Sequence, residues 1–103
     1  MKKKTNPMQP GYMYVLLCSD QSYYTGSTVN LVKRLRQHQS GNGANHTKKR
    51  LPVKLEYYEF YPHVYLAYNR EKQIQKWSRK KKKALVNGKH KDLPELAKEY
   101  RDL

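Results

Sequence analysis

Acidic residues are scarce in this chain. Its 103 residues include eight Asp and Glu against 22 Lys and Arg, a formal net charge of +14. That balance points to a polyanionic partner, nucleic acid or an anionic membrane face, with nucleic acid favoured. Cysteine is nearly absent as well: Cys18 stands alone. There is therefore no internal disulfide and no cysteine-based zinc site, and a reducing, cytoplasmic setting is the expectation. The plainest role for Cys18 is that of a small buried strand residue. No apolar run approaches the roughly 18 residues of a membrane-crossing helix. The first ten residues are basic, polar and Pro-containing, unlike a signal peptide. The four histidines (38, 46, 63 and 90) lack metal spacing. A Gly-rich phosphate loop, a Ser-His-Asp constellation and a carboxylate cluster are all missing.

What the chain does have is tyrosine. Ten Tyr, one Trp and one Phe bring the aromatic share to 12%, too rich for a disordered basic tail even though hydrophobic residues make up only 37%. The length allows one small domain. We expect a flexible basic lead over residues 1–10 and a single domain over 11–103.

Residues 12–18 and 23–28 have strand composition and are joined by a short polar link, which predicts a β-hairpin. Asn30 is a candidate cap for a helix carrying Leu31, Val32 and Leu35, with Gly41 as its stop. Residues 39–51 read as a polar loop and 53–61 as a third strand. Apolar spacing predicts a long helix over 63–83, ended by Asn87-Gly88, and a short last helix from 93. The expected fold is α/β (α+β): a small three-stranded antiparallel sheet flanked by helices, in the order β-β-α-β-α-α. The aromatic residues fall mainly in the strands and are expected mostly in the core, which leaves base stacking little support.

Between positions 33 and 83 there are 15 Lys or Arg and three carboxylates, Glu56, Glu59 and Glu71. Lys33, Arg36, Lys48, Lys49, Arg50, Arg79, Lys80, Lys81, Lys82 and Lys83 are candidates for phosphate neutralisation with counterion release. Solvated faces are the alternative for any one of them. Glu71 is unusual, since no basic residue lies at i±3 or i±4 on its own helix. It therefore requires another partner: a tertiary ion pair with an Arg, a metal ion, or a role in proton transfer.

The hairpin and first helix resemble the GIY-YIG nuclease family. The first tripeptide of that family's name falls on Tyr12-Met13-Tyr14. The second falls on Tyr24-Thr25-Gly26, with Tyr24 ten residues after Tyr14. A small polar pair follows, Ser27-Thr28, then a helix with Arg34 and, four residues on, His38. Glu71 matches the family's glutamate on the long helix, and Asn87 an asparagine often found near the domain's end. The likeness spans roughly residues 11–88 and is greatest to small, single-domain bacterial members. Tyr12 stands where the family has its first Gly, and Thr25 where it has its central Ile.

The resemblance implies a metal-dependent endonuclease. Its substrate would be nucleic acid, DNA rather than RNA, of a repair or recombination type, with a partner subunit a possible source of specificity. Tyr14, Tyr24, Arg34, His38, Glu71 and Asn87 would form the site. Glu71 would hold Mg²⁺ or Mn²⁺, which needs few carboxylates and keeps several waters. Arg34 would address the phosphoryl oxygens. Either tyrosine could act as base, aided by a lowered pKa or a proton acceptor; His38 is a candidate acceptor or orienting partner. The alternative is a DNA- or RNA-binding module with an idle site.

Overall fold

A computed structural model describes residues 6–88. β1 (Gly11–Leu17) and β2 (Tyr23–Thr28) form the expected hairpin. Its turn is closed by the Cys18 amide, which donates to the Ser22 carbonyl at 2.9 Å. Asn30 caps α1 (Leu31–Gln39), its side-chain oxygen accepting from the Lys33 amide at 3.0 Å. The connection that follows is not all loop: residues 45–48 form a short helix, α2 (Asn45–Lys48). The third strand, β3 (Lys54–Tyr61), starts one residue later than expected.

The three strands lie in the order β2-β1-β3, with β1 antiparallel to both neighbours. Side chains alternate across the central strand. Tyr14 and Leu16 pack with Val53, Leu31 and Leu35 on the α1 face. Met13 and Val15 pack with Ala67, Ile74 and Leu85 on the other. The pairing of β1 with β3 is interrupted by a bulge: Val15 lies opposite Tyr57 and Leu16 opposite Leu55, leaving Glu56 as an extra residue.

The long helix expected over 63–83 is two helices, α3 (Val64–Gln75) and α4 (Arg79–Val86). The break has a local cause. Ser78 leaves the helical conformation and its hydroxyl accepts from the Lys81 amide at 3.2 Å, capping a new helix. Both helices still contribute to one core, through Ala67 and Ile74 from α3 and Leu85 from α4. Gly88 adopts a positive φ of 69° just beyond α4, as a helix stop requires. The helix expected from 93 lies outside the described residues.

Two further expectations meet details that the sequence does not show. Residues 6–9, assigned to a flexible lead, are tied to the start of α3. The Gln9 carbonyl accepts from the Val64 amide at 2.6 Å and the Pro7 carbonyl from the Tyr65 amide at 3.3 Å, satisfying groups that a helix start leaves open, and the Met8 carbonyl meets His63 Nδ1 at 2.7 Å. Most of the described aromatics pack in or against the two core clusters, as expected, but not two of those on β3. Tyr58 and Phe60 are 54% and 56% exposed, because alternate residues of β3 face a part of the sheet that α1 does not cover.

A buried ion pair joins α3 to the sheet. Arg70 and Glu59 have side-chain exposures of 0% and 3%. Arg70 Nε donates to Glu59 Oε1 at 3.1 Å and Nη1 to Gln73 Oε1 at 2.8 Å. The hydroxyls of Tyr57 and Tyr61 donate to Glu59 at 2.7 and 2.6 Å. The guanidinium also lies 5.0 Å from the Trp77 ring centroid. Removing one partner leaves a buried, uncompensated charge. Arg70→Met is therefore expected to cost about 3–5 kcal/mol in urea unfolding. Arg70→Met with Glu59→Leu should lose less than Arg70→Met alone.

Candidate active site

Five of the six residues expected in the site converge at the β2 edge of the sheet, between α1 on one face and α3 on the other. Tyr14 comes from the central strand, Tyr24 from β2, Arg34 and His38 from α1, and Glu71 from α3. Gly26 makes the convergence possible. A Cβ there would lie 2.5 Å from the Tyr14 hydroxyl, so only a bare backbone lets the phenol extend across β2. The sixth residue, Asn87, is exposed at the end of α4. No hydrogen bond among the described residues joins its side chain to the others.

Tyr14 OH lies 2.8 Å from His38 Nε2, and His38 Nδ1 lies 2.8 Å from Thr47 Oγ1. The Thr47 hydroxyl donates its own proton to the Ala44 carbonyl at 3.0 Å. It can therefore only accept from His38, which places the imidazole proton on Nδ1. His38 Nε2 is then left to accept from Tyr14 OH. Burial, followed by the charge of Arg34, pushes the His38 pKa down to about 4, so the ring is neutral at pH 7.

Burial pushes the Tyr14 pKa up to about 12, against the opposing pull of Arg34. The Tyr24 phenol is raised too, by burial and then by the Glu71 carboxylate, while Arg34 again opposes. Both phenols are thus protonated at pH 7. A tyrosine with a lowered pKa, one of the two routes open from sequence, is not how the resting site is built. Arg34 also donates to Gln37 Oε1 at 3.0 Å, which fixes its guanidinium.

The Arg ion pair considered for Glu71 is not formed among the described residues; the helix neighbour Arg70 makes one with Glu59 instead. Glu71 is 9% exposed. Its Oε1 accepts from Ser27 Oγ at 2.5 Å and its Oε2 from Gln75 Nε2 at 2.8 Å, so each oxygen keeps a lone pair. No group of three or more His, Cys, Asp or Glu able to hold a metal is found among the described residues. Both nitrogens of His38 are engaged. The donor set is one hard carboxylate with a lone pair left on each oxygen, which fits Mg²⁺ or Mn²⁺ and not Zn²⁺.

Sequence reasoning missed Ser27, Gln75, Thr47 and His46. The His46 ring stacks on Tyr24 with centroids 6.0 Å apart, and its Nε2 meets Ser22 Oγ at 2.9 Å. Two of them had a legible signal: Gln75, four residues after Glu71 on the same helix face, and Ser27, in the small polar pair after the second tripeptide.

The basic candidates divide. Lys33, Arg36, Lys48, Lys49, Lys80 and Lys83 are exposed. Others already have partners in the fold. Arg50 binds Asp20 at 2.9 Å. Arg79 donates to the Gln21 carbonyl and lies 4.9 Å from the Tyr23 ring centroid. Lys81 covers the Trp77 ring at 4.3 Å. Lys82 is half-buried, its pKa lowered by that burial.

Comparison with known proteins agrees with this fold. The family model of the GIY-YIG catalytic domain matches residues 10–84. A UPF0213 protein of Clostridium perfringens is 46% identical over 78 residues, covering 76% of this chain and 84% of its own. A UPF0213 protein of Syntrophus aciditrophicus is 48% identical over 80 residues, covering 77% and 92%. The solution NMR structure of a UPF0213 protein from Bacillus halodurans superposes with a TM-score of 0.51 at 37% identity, covering 77% of this chain and 84% of that one. That of a protein from E. faecalis gives 0.53 at 35% identity, covering 87% and 92%.

Two outcomes follow from the His38 contacts. Nitrogen-detected NMR of the imidazole at pH 7 should show the Nδ1-protonated tautomer, and Thr47→Val should convert it to a mixture. Because the folded pKa lies below the unfolded 6.5, the unfolded chain binds the extra proton between pH 6.5 and 4. The contribution of His38 to stability is therefore complete above pH 6.5 and lost as pH falls toward 4. Denaturation at pH 7 and 4.5 should show a smaller acid loss for His38→Gln than for the wild type.

Proposed function

The chain belongs to the GIY-YIG family, and on that footing we propose that it is a divalent-metal-dependent endonuclease that hydrolyses phosphodiester bonds, in DNA by preference. The observation that carries this reading is the meeting of two phenols, a guanidinium and a nearly buried carboxylate, each of its oxygens with a lone pair to spare, at one edge of a basic domain. Glu71 would hold Mg²⁺ or Mn²⁺, which supplies Lewis-acid stabilisation of charge on the phosphate and the leaving oxygen. Arg34, fixed by Gln37, suits the non-bridging oxygens, where negative charge grows in the transition state.

The Tyr14–His38 contact resolves the difficulty of a tyrosine base. A protonated phenol still has lone pairs, and Tyr14 can accept a proton from the attacking water while handing its own to His38 Nε2. No free phenolate is needed. The incoming phosphate favours this transfer in part, since its negative charge offsets the Arg34 charge that adds to burial in keeping the imidazole neutral. Tyr24, stacked on His46, holds the other side of the water's position.

Purified protein with Mg²⁺ or Mn²⁺ should cleave some member of a panel of linear and branched DNA and RNA, and chelation should stop it. Tyr14→Phe keeps the ring packing and should reduce single-turnover cleavage by roughly 10²–10⁴-fold. Arg34→Met should reduce it by about 10²–10³-fold without unfolding the domain. Cleavage that survives in Glu71→Gln at the wild-type rate would assign the activity to a contaminant and leave a binding module.

A further inference from the structure

Tyr58 and Phe60 stand exposed on β3, and both meet Tyr12 edge to face, with ring centroids 5.9 and 5.4 Å apart. Beside them runs an open groove of about 340 Å³, lined by Tyr12 and Tyr58 on the sheet and by Val29, Leu31 and Val32 on the α1 side. Val32 is 60% exposed. Exposed aromatics gathered with exposed valines make an interaction surface. None of its side chains belongs to the site described above.

We infer that this surface is a stacking platform for unpaired bases of single-stranded nucleic acid. The inference rests on the nucleic-acid part of the proposed function and names the substrate class more narrowly. Three observations favour this occupant. The charge on the α1 side of the groove is of one sign: Lys33 follows Val32, and Arg36 lies one turn further along the same flank of α1. Both are exposed, and α1 contains no acidic residue. Aromatic faces next to cations are what a single strand uses, bases on rings and phosphates on Lys and Arg. Duplex bases hide their faces in their own stack, so these rings have no comparable purchase on a duplex. A second copy of this chain is the poorer occupant, because each carries a formal charge of +14.

The groove also lies within reach of the site. Val32 and Arg34 occupy opposite flanks of α1, so a strand crossing the first turn of that helix passes from the platform to the guanidinium. The positive end of the helix dipole faces that crossing.

The test measures binding to the full chain in chelator, where no cleavage interferes. The probe is a fluorescein-labelled oligothymidylate about twelve nucleotides long, with its duplex and the matching oligouridylate as further arms. Tyr58→Ala and Phe60→Ala should each weaken single-strand binding at least about fivefold and leave duplex binding unchanged. Phe60→Trp should retain it. Lys33→Gln and Arg36→Gln should each lower the salt slope by roughly 0.7, whereas the aromatic variants should not change it. Thermal unfolding of each variant checks that the fold is intact. Unchanged single-strand affinity in both aromatic variants, or an equal loss on duplex, overturns the platform. So does a wild-type dimer that Tyr58→Arg dissociates, which would make the patch an interface between copies. Loss of cleavage in the panel above, with selective single-strand binding intact, would overturn the nuclease reading and leave the platform standing.

Discussion

A carboxylate and a guanidinium with almost no access to water hold this domain in its working shape. Glu59 on β3 accepts from Arg70, Tyr57 and Tyr61, and the same arginine reaches Gln73 and the Trp77 ring. So many directional contacts on one side chain define the rotation of α3 about its axis. The next residue is Glu71. With Arg70 turned toward β3, the helix presents Glu71 toward β2, where Ser27 meets it. The structural carboxylate and the site carboxylate are thus placed by one helix orientation. Their chemistry differs because their partners do. Glu59 is neutralised by a cation, whereas Glu71 has only neutral donors among the described residues and keeps its negative charge available.

The opposite face has its own anchor in the connection after α1. His46 and Thr47 are neighbours on α2, one against Tyr24 and the other against His38. A Cβ at Gly43 would come within 2.9 Å of the His38 backbone, so the connection lies directly over the ring it orients. The two tyrosines are therefore set from outside their own strands. A segment of polar composition, which sequence alone reads as loop, supplies the order of the two phenols.

Much of the fold was legible in residue patterns. The hairpin, the Asn30 cap, the third strand and the helix stop at Asn87-Gly88 all rest on local chemistry that needs no tertiary context. Tyr14, Tyr24, Arg34, His38 and Glu71 were legible as a set through the family resemblance, on whose ordered motifs they fall. What was hidden depends on partners distant in sequence. Ser78 is one of many possible caps until Trp77 is drawn into contact with Arg70. The cations of 79–83 look equivalent until Tyr23 claims Arg79 and Trp77 claims Lys81. Tyr58 and Tyr57 are indistinguishable as letters, yet one is exposed and the other bonds Glu59.

That last difference traces to the extra residue at Glu56. In a regular strand, 55, 57, 59 and 61 share a face. Here Leu55 packs with Leu16 and Leu31 on the α1 side, while Tyr57 and Tyr61 join the α3 side. β3 is in effect two half-strands of opposite phase, spliced at one position. Shortening the splice by one residue would force a choice: keep Leu55 in its core and turn Glu59 away from Arg70, or keep Glu59 and expose Leu55. Neither loss can be repaired nearby. Changes of length in this domain are therefore confined to its connections, and the most irregular point of the sheet is among those least free to drift.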